Sequence, residues 1–220
     1  MTVFVIAMDS EAQAVICNLA SATRSTSCEK KIIRGTLCGK QTAVVICGVG
    51  KVNAACGVQY AIDALAADKI INIGVAGGLN ANMRPCEIYG INEAVQYDFD
   101  LAQLNGTSIG TLNEFDRAYL PLNTTNRYAL KRIGTGDRFN DSPLDFKLLT
   151  DTLKADIRDM ECAAMAQACI HAGVEFYAFK GISDVAGSGS TTEQFTKNLA
   201  ECNAKLAAAV PEIFMDVDNG

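Results

Sequence analysis

Two kinds of hydrophobic spacing take turns along this chain. Runs rich in branched residues read as strands: "TVFVIA" (2–7), "KIIRGTL" (31–37), "TAVVICGVG" (42–50), "KIINIGVAGG" (69–78), "EIYGINEAVQYD" (87–98), "YALKRIGTGD" (128–137) and "VEFYAFKGISD" (174–184). Alanine-rich stretches between them predict helices over 9–20, 51–66, 159–169 and 192–215, with "ADIRDME" (155–161) leading into the third. Residues 101–127, rich in Asn, Leu and Gly, read as a long loop. Strands and helices in alternation predict an α/β fold, and 1–220 reads as one domain without linkers, repeats or low-complexity segments.

Polar residues gather in one kind of place, just beyond strands. "MDSE" follows 2–7, "GGLN" closes 69–78, "GDRFND" follows 128–135 and "SDVAG" follows 174–182. Ligands of open α/β sheets bind beyond the carboxyl ends of strands, so these loops are expected to share one pocket. That makes Glu11, Asp137, Glu161 and Asp184 its candidate carboxylates.

Composition narrows the partners. Net charge is −6 and no basic cluster occurs, which argues against nucleic acid and anionic membranes, both of which need concentrated Lys and Arg. No apolar run reaches the roughly 20 residues of a membrane span, and "MTVFVIAMDSEAQAV" lacks the basic start of a secretory signal. A cytoplasmic protein is expected. Nine cysteines without a CxxC pair, and a single histidine, give no zinc pattern. Cys17, Cys47, Cys56, Cys162 and Cys169 read as free, buried thiols, and His171 as a helix C-terminal residue. With one imidazole, triad chemistry is a poor expectation. Neither a metal nor a cofactor is implied.

"GVGKVNAACG" (48–57) invites a nucleotide-loop reading. A Walker loop fails because Val45 stands at its first glycine and Val52 follows the lysine; the dinucleotide pattern fails at Asn53. A tight strand-to-helix turn and a backbone cradle for a ligand both stay open. "DMECAAMAQAC" (159–169) poses a sharper question, because Glu161 stands against an otherwise small, apolar run. A buried charge there is costly unless paired, whereas a helix-start carboxylate is favoured by the macrodipole.

Six segments in order, "AMDSEA" (7–12), "GVGKVNAA" (48–55), "NIGVAGGL" (72–79), "GDRF" (136–139), "DMECAA" (159–164) and "GISDVAG" (181–187), resemble the nucleoside phosphorylase superfamily. They are most similar to its methylthioadenosine/S-adenosylhomocysteine nucleosidase branch. The resemblance runs from residue 2 to about 215. It implies a three-layer α/β/α fold around a mixed, partly barrel-like sheet, a homodimer, and cleavage of a purine–ribose bond in a small-molecule purine nucleoside.

By the same resemblance Asp184 matches the acid that protonates the purine at N7, with Ser183 orienting it, and Glu11 the carboxylate that positions water. Glu161 would hold the ribose hydroxyls, with Met160 and Met8 lining the sugar. Phe139 would stack on the base, the backbone at Asn140 would read its edge, Leu101 would line the pocket, and Ala76 and Gly77 would lie against the ligand. Asp137 remains a structural turn residue. Four features depart from the family pattern: Val75 replaces a serine, Lys180 an arginine, Arg138 and Asn140 differ from the commoner apolar neighbours of the stacking phenylalanine, and the 101–115 loop matches poorly. A phosphate-dependent phosphorylase and a non-catalytic nucleoside-binding protein are the alternatives to a nucleosidase.

Overall fold

The computed structural model describes residues 1–219. Ten strands form one mixed sheet: β1 (Thr2–Ile6), β2 (Ala20–Ser27), β3 (Lys30–Leu37), β4 (Lys40–Ile46), β5 (Lys69–Gly78), β6 (Ile88–Gln96), β7 (Leu120–Pro121), β8 (Leu130–Thr135), β9 (Ile157–Asp159) and β10 (Glu175–Val185). The sheet runs β10-β6-β8-β9-β5-β1-β4-β3-β2, and β10 also pairs with β5. That extra pairing closes β5, β10, β6, β8 and β9 into a five-stranded barrel, with β1, β4, β3 and β2 extending from its wall.

Side chains alternate across the wall, as the two-residue strand period requires. Val3 and Val5 of β1 and Ile70 of β5 face one core, while Phe4, Ile6, Ile71 and Ile73 face another. Helices α2 (Lys51–Leu65) and α5 (Cys162–Ala172) cover the first side through Ala54, Val58, Ala163 and Met165. Helices α1 (Asp9–Ile16) and α6 (Thr191–Asn219) cover the second, where Phe4 stacks on Phe214 with ring centres 6.0 Å apart. The layers are therefore helix, sheet, helix. Two short helices, α3 (Ala102–Asn105) and α4 (Pro143–Lys147, running on as a wider turn to Thr152), lie in the connections.

Strand β2 and the length of α1 differ from the sequence expectation. The chain leaves the helix at Ile16 and forms an exposed strand, "ASATRSTS", where helix was expected to 20. Two tight hairpins hold β2, β3 and β4 in register: Cys28 and Glu29 both take positive φ, as do Cys38 and Gly39, the conformations that two-residue turns between twisted strands require. Asn18, just past α1, has a second task. Pro211 lies inside α6 and cannot donate to the carbonyl of Ala207; Asn18 Nδ2 donates to that oxygen instead, at 2.8 Å. The helix continues through the proline.

Gly57 decides how closely α2 approaches the sheet. A Cβ there would stand 2.5 Å from Cys47 Cβ and 3.0 Å from Val5 Cγ1. In an open helix Gly→Ala stabilises by about 1 kcal/mol, but overpacking against a core costs roughly 1–3 kcal/mol. The second effect wins here. Gly57→Ala is expected to lower the unfolding free energy by about 1–2 kcal/mol in a urea titration; an equal or higher midpoint would show that α2 can shift.

Candidate active site

Strand β1 ends at Ile6 and α1 begins at Asp9, so Glu11 points back over the carboxyl end of the sheet. Its Oε1 accepts from the Val75 amide on β5 at 2.8 Å. The approach is close because residue 74 has no side chain: a Cβ at Gly74 would meet Oε1 at 2.7 Å. Glu11 is buried, and burial raises its carboxyl above the ordinary range against the opposing charge of Lys180.

Glu161 precedes α5 yet makes no side-chain cap. Its Oε1 instead accepts from the Gly50 amide, at the start of α2, at 2.9 Å. Gly48 and Gly50 take φ of +95° and +98°, so the glycine-rich run is a tight turn. The next amide, Lys51 N–H, donates to Asp137 Oδ1 at 2.8 Å. Two of the helix's free donors are thus already held by carboxylates of the protein. Burial, and then the charge of Asp159, push Glu161 up to about 7.

Asp184 lies where β10 bulges. Ile182 pairs with Ala76 and Asp184 with Gly77, so Ser183 is the extra residue, and such a bulge re-aims side chains. Ser183 Oγ donates to Asp184 Oδ1 at 2.8 Å, while the buried Oδ2 has no hydrogen-bond partner. Arg158 Nη2 is 3.9 Å from Oδ2. Burial raises the Asp184 carboxyl, and the Ser183 hydrogen bond and the Arg158 charge only partly offset it.

Beneath these groups lies a buried ion pair, Lys180 Nζ to Asp159 Oδ2 at 2.9 Å. Asp159 also accepts from the Cys162 amide at 3.0 Å and, through Oδ1, from the Thr135 hydroxyl at 2.6 Å. Burial pushes the Lys180 ammonium down, but the surrounding carboxylates, Asp159 foremost, hold it above the usual lysine range.

Glu11, Glu161 and Asp184 line one cavity of about 490 Å³, with Met8, Met160, Ala76, Gly77 and Ser183 in its wall and Phe139 at its rim. Phe139 is half exposed and meets Phe195 edge-on, ring centres 5.6 Å apart. Three buried carboxylates around an otherwise mostly apolar pocket can give up, take and orient protons on one small ligand.

A model of the phosphorylase superfamily matches residues 2–214. The chain belongs to this superfamily. It is 29% identical over 210 residues to the 5′-methylthioadenosine/S-adenosylhomocysteine nucleosidase of Geobacillus kaustophilus, covering 86% of this chain and 89% of that one. Among solved structures, it superimposes on the Colwellia psychrerythraea enzyme of the same name, in complex with adenine. That match has a TM-score of 0.89 and 25% identity, over 98% of this chain and 95% of the other. Futalosine hydrolase of Helicobacter pylori shares the fold, with a TM-score of 0.87 at 20% identity over 95% and 94% of the two chains.

In this phosphorylase-superfamily chain two expected residues stand outside the cavity lining. Leu101 immediately precedes the short α3, and Asn140 turns its side chain to Asp145 and the Ser142 amide. Asp137 is exposed, holds the start of α2, and is also outside the lining. Cys17 and Cys56 are exposed rather than buried, as are Cys28 and Cys38; all nine cysteines are free. His171 sits in the last turn of α5 as expected, its Nε2 3.1 Å from Glu114 Oε1. Arg158, Asp159, Thr191 and Phe195 line the cavity without having been singled out. Arg158 and Asp159 carried a visible signal, two charges beside an apolar helix start.

Because the Glu161 carboxyl is raised in the fold, its contribution to stability is complete below the unfolded value near 4.5 and is lost as pH rises through about 7. Glu161→Gln keeps an oxygen for the Gly50 amide and never ionises. Its unfolding free energy should match wild type near pH 4.5 and exceed it by roughly 1–3 kcal/mol at pH 8.5. Denaturant titrations at the two pH values check this, and a constant difference would remove Glu161 as the titrating group.

Proposed function

We propose that this chain hydrolyses the N-glycosidic bond of purine nucleosides of the methylthioadenosine/S-adenosylhomocysteine type, releasing adenine and a 5-thio-substituted ribose. The observation that carries the reading is the set of three buried carboxylates on one cavity, each held differently and one with an oxygen left unpaired. It is supported by the relatives that bear this activity in their names. The reading takes the chain as one cytoplasmic domain working as a homodimer.

Cleaving the C1′–N9 bond leaves electrons on the purine and positive character on the ribose. Asp184, whose carboxyl burial raises, gives its proton to N7 from the unpartnered Oδ2 and so removes a poor leaving group. A positioned acid of this kind contributes about 10²–10⁴ in rate. Glu11 takes a proton from a water whose oxygen bonds to C1′, and its raised pKa brings the base toward the working pH. Glu161 accepts hydrogen bonds from the ribose hydroxyls, which answers why a carboxylate lies beside a core. Its charge also opposes the positive charge that develops on the sugar. Met8 and Met160 shape the sugar side, Phe139 supplies a ring for the base, and Ala76 and Gly77 form the wall between.

Phosphorolysis needs cations free to take a phosphate. Lys180 is held by Asp159 and Arg138 by Asp145, each at 2.9 Å, the cavity's other cation, Arg158, stands beside the proposed acid at 3.9 Å from Asp184 Oδ2, and position 75 carries an apolar side chain. Hydrolysis is the better reading.

Asp184→Asn and Glu11→Gln are each expected to lower kcat by at least about 10²-fold while calorimetry still detects nucleoside binding. Wild-type turnover by either variant would cancel that residue's role. Purine release from methylthioadenosine should proceed equally in phosphate-free and phosphate buffers, with free methylthioribose as the sugar product. A sugar 1-phosphate formed only with phosphate would make the enzyme a phosphorylase.

A further inference from the structure

Two guanidinium groups line the cavity, and their surroundings differ. Arg138 is neutralised by Asp145. Arg158 donates through Nη2 to a neutral partner, Thr191 Oγ1, at 3.1 Å, and that hydroxyl is itself directed to Asp141. The same Nη2 stands 3.9 Å from Asp184 Oδ2, the unpartnered oxygen. β9 brings Arg158 opposite Gly77 of β5, where a Cβ would lie 2.8 Å from Asp184 Oδ2 and 3.1 Å from Arg158 Nε. The bare glycine is what lets acid and cation lie side by side. None of the hydrolytic roles above uses this cation.

Resting on the nucleosidase reading, we infer that Arg158 extends the base specificity of this site to 6-oxopurines, donating to O6 while Asp184 protonates N7. The exocyclic atom on C6 is the polar neighbour of N7 along one edge of the purine. A guanidinium offers donors only, and a carbonyl oxygen offers acceptors only. The 6-oxo base therefore pairs with Arg158. An exocyclic amine gains nothing from that cation and turns to the Asp184 carboxyl oxygens.

Adjacent donor and acceptor groups thus serve the two kinds of base. For the 6-oxo base the benefit grows along the reaction, because electrons released from the C1′–N9 bond spread through the rings onto O6. A fixed cation at that position stabilises the transition state more than the ground state. Arg158 is a specificity residue by this argument.

The test compares kcat/KM for methylthioinosine and methylthioadenosine, which share the 5′ group, in wild type, Arg158→Met and Arg158→Lys. Wild type should hydrolyse both, with the oxo form within about tenfold of the amino form. Arg158→Met should lower the oxo-to-amino ratio by about 30–100-fold, the scale of losing one hydrogen bond to a charged group. Arg158→Lys should restore part of it, keeping the charge but not the fork. Because the readout is a ratio, general damage to the fold cancels.

An unchanged ratio in Arg158→Met overturns the inference and leaves Arg158 as a support for Asp184. So does wild-type turnover of the oxo form below about a thousandth of the amino form. If wild type hydrolyses neither nucleoside, the nucleosidase reading has failed. Calorimetric binding of free hypoxanthine and adenine then still decides base preference. A selective loss of hypoxanthine in Arg158→Met supports the inference, and equal weakening of both bases overturns it.

Discussion

Burying the Lys180 ammonium against the Asp159 carboxylate fixes the place where β8, β9, β10 and α5 meet. Either charge alone would cost several kcal/mol in that setting. Together, with the Thr135 hydroxyl and the Cys162 amide on the remaining lone pairs of Asp159, they are tolerated. The pair then sets the electrostatics above it. Lys180 opposes the desolvation of both Glu11 and Glu161, while Asp159 adds to the upward push on Glu161. Without this cation in the floor, burial would push both glutamates further up.

Burial acts on Glu11, Glu161 and Asp184 in the same direction, so their partners distinguish them. Glu11 and Glu161 each accept through Oε1 from one backbone amide, of Val75 and of Gly50. Asp184 has a hydroxyl on one oxygen and a cation beside the other. A glycine lies at each of the closest approaches, Gly74 under Glu11 and Gly77 under Asp184, where a methyl group would collide with a carboxylate oxygen. The barrel wall is thinned where the chemistry is densest.

Much of this was legible in the chain itself. Strands buried on both faces announce themselves as apolar runs, which is why β1, β4, β5 and β10 stand close to their expected places. β2 did not, because "ASATRSTS" buries none of its residues and carries no alternation to read. β9 is three residues long, too short for any period, and its charges read as the approach to α5. Arg158 and Asp159 were therefore passed over, although they bring a cation and an ion pair to the cavity. Exposure at Cys17 and Cys56 was equally hidden, since each sits at or just past a helix with one buried face, and the sequence does not say which side the thiol takes. Leu101 and Asn140 rested on resemblance alone, in segments whose local sequence departs from the family pattern.

The amide contacts of Glu11 and Glu161 bear on how this sequence can drift. Both carboxylates are anchored to peptide N–H groups, of Val75 and Gly50, and every residue but proline supplies that group. Position 75 can therefore exchange a hydroxyl-bearing residue for valine and still present the same donor to Glu11. At position 75 such an anchor is nearly invisible to mutation, whereas Gly50 is kept by its φ of +98°. The anchor at 75 allows the pocket wall to change its polarity over generations while the carboxylate it supports stays in place.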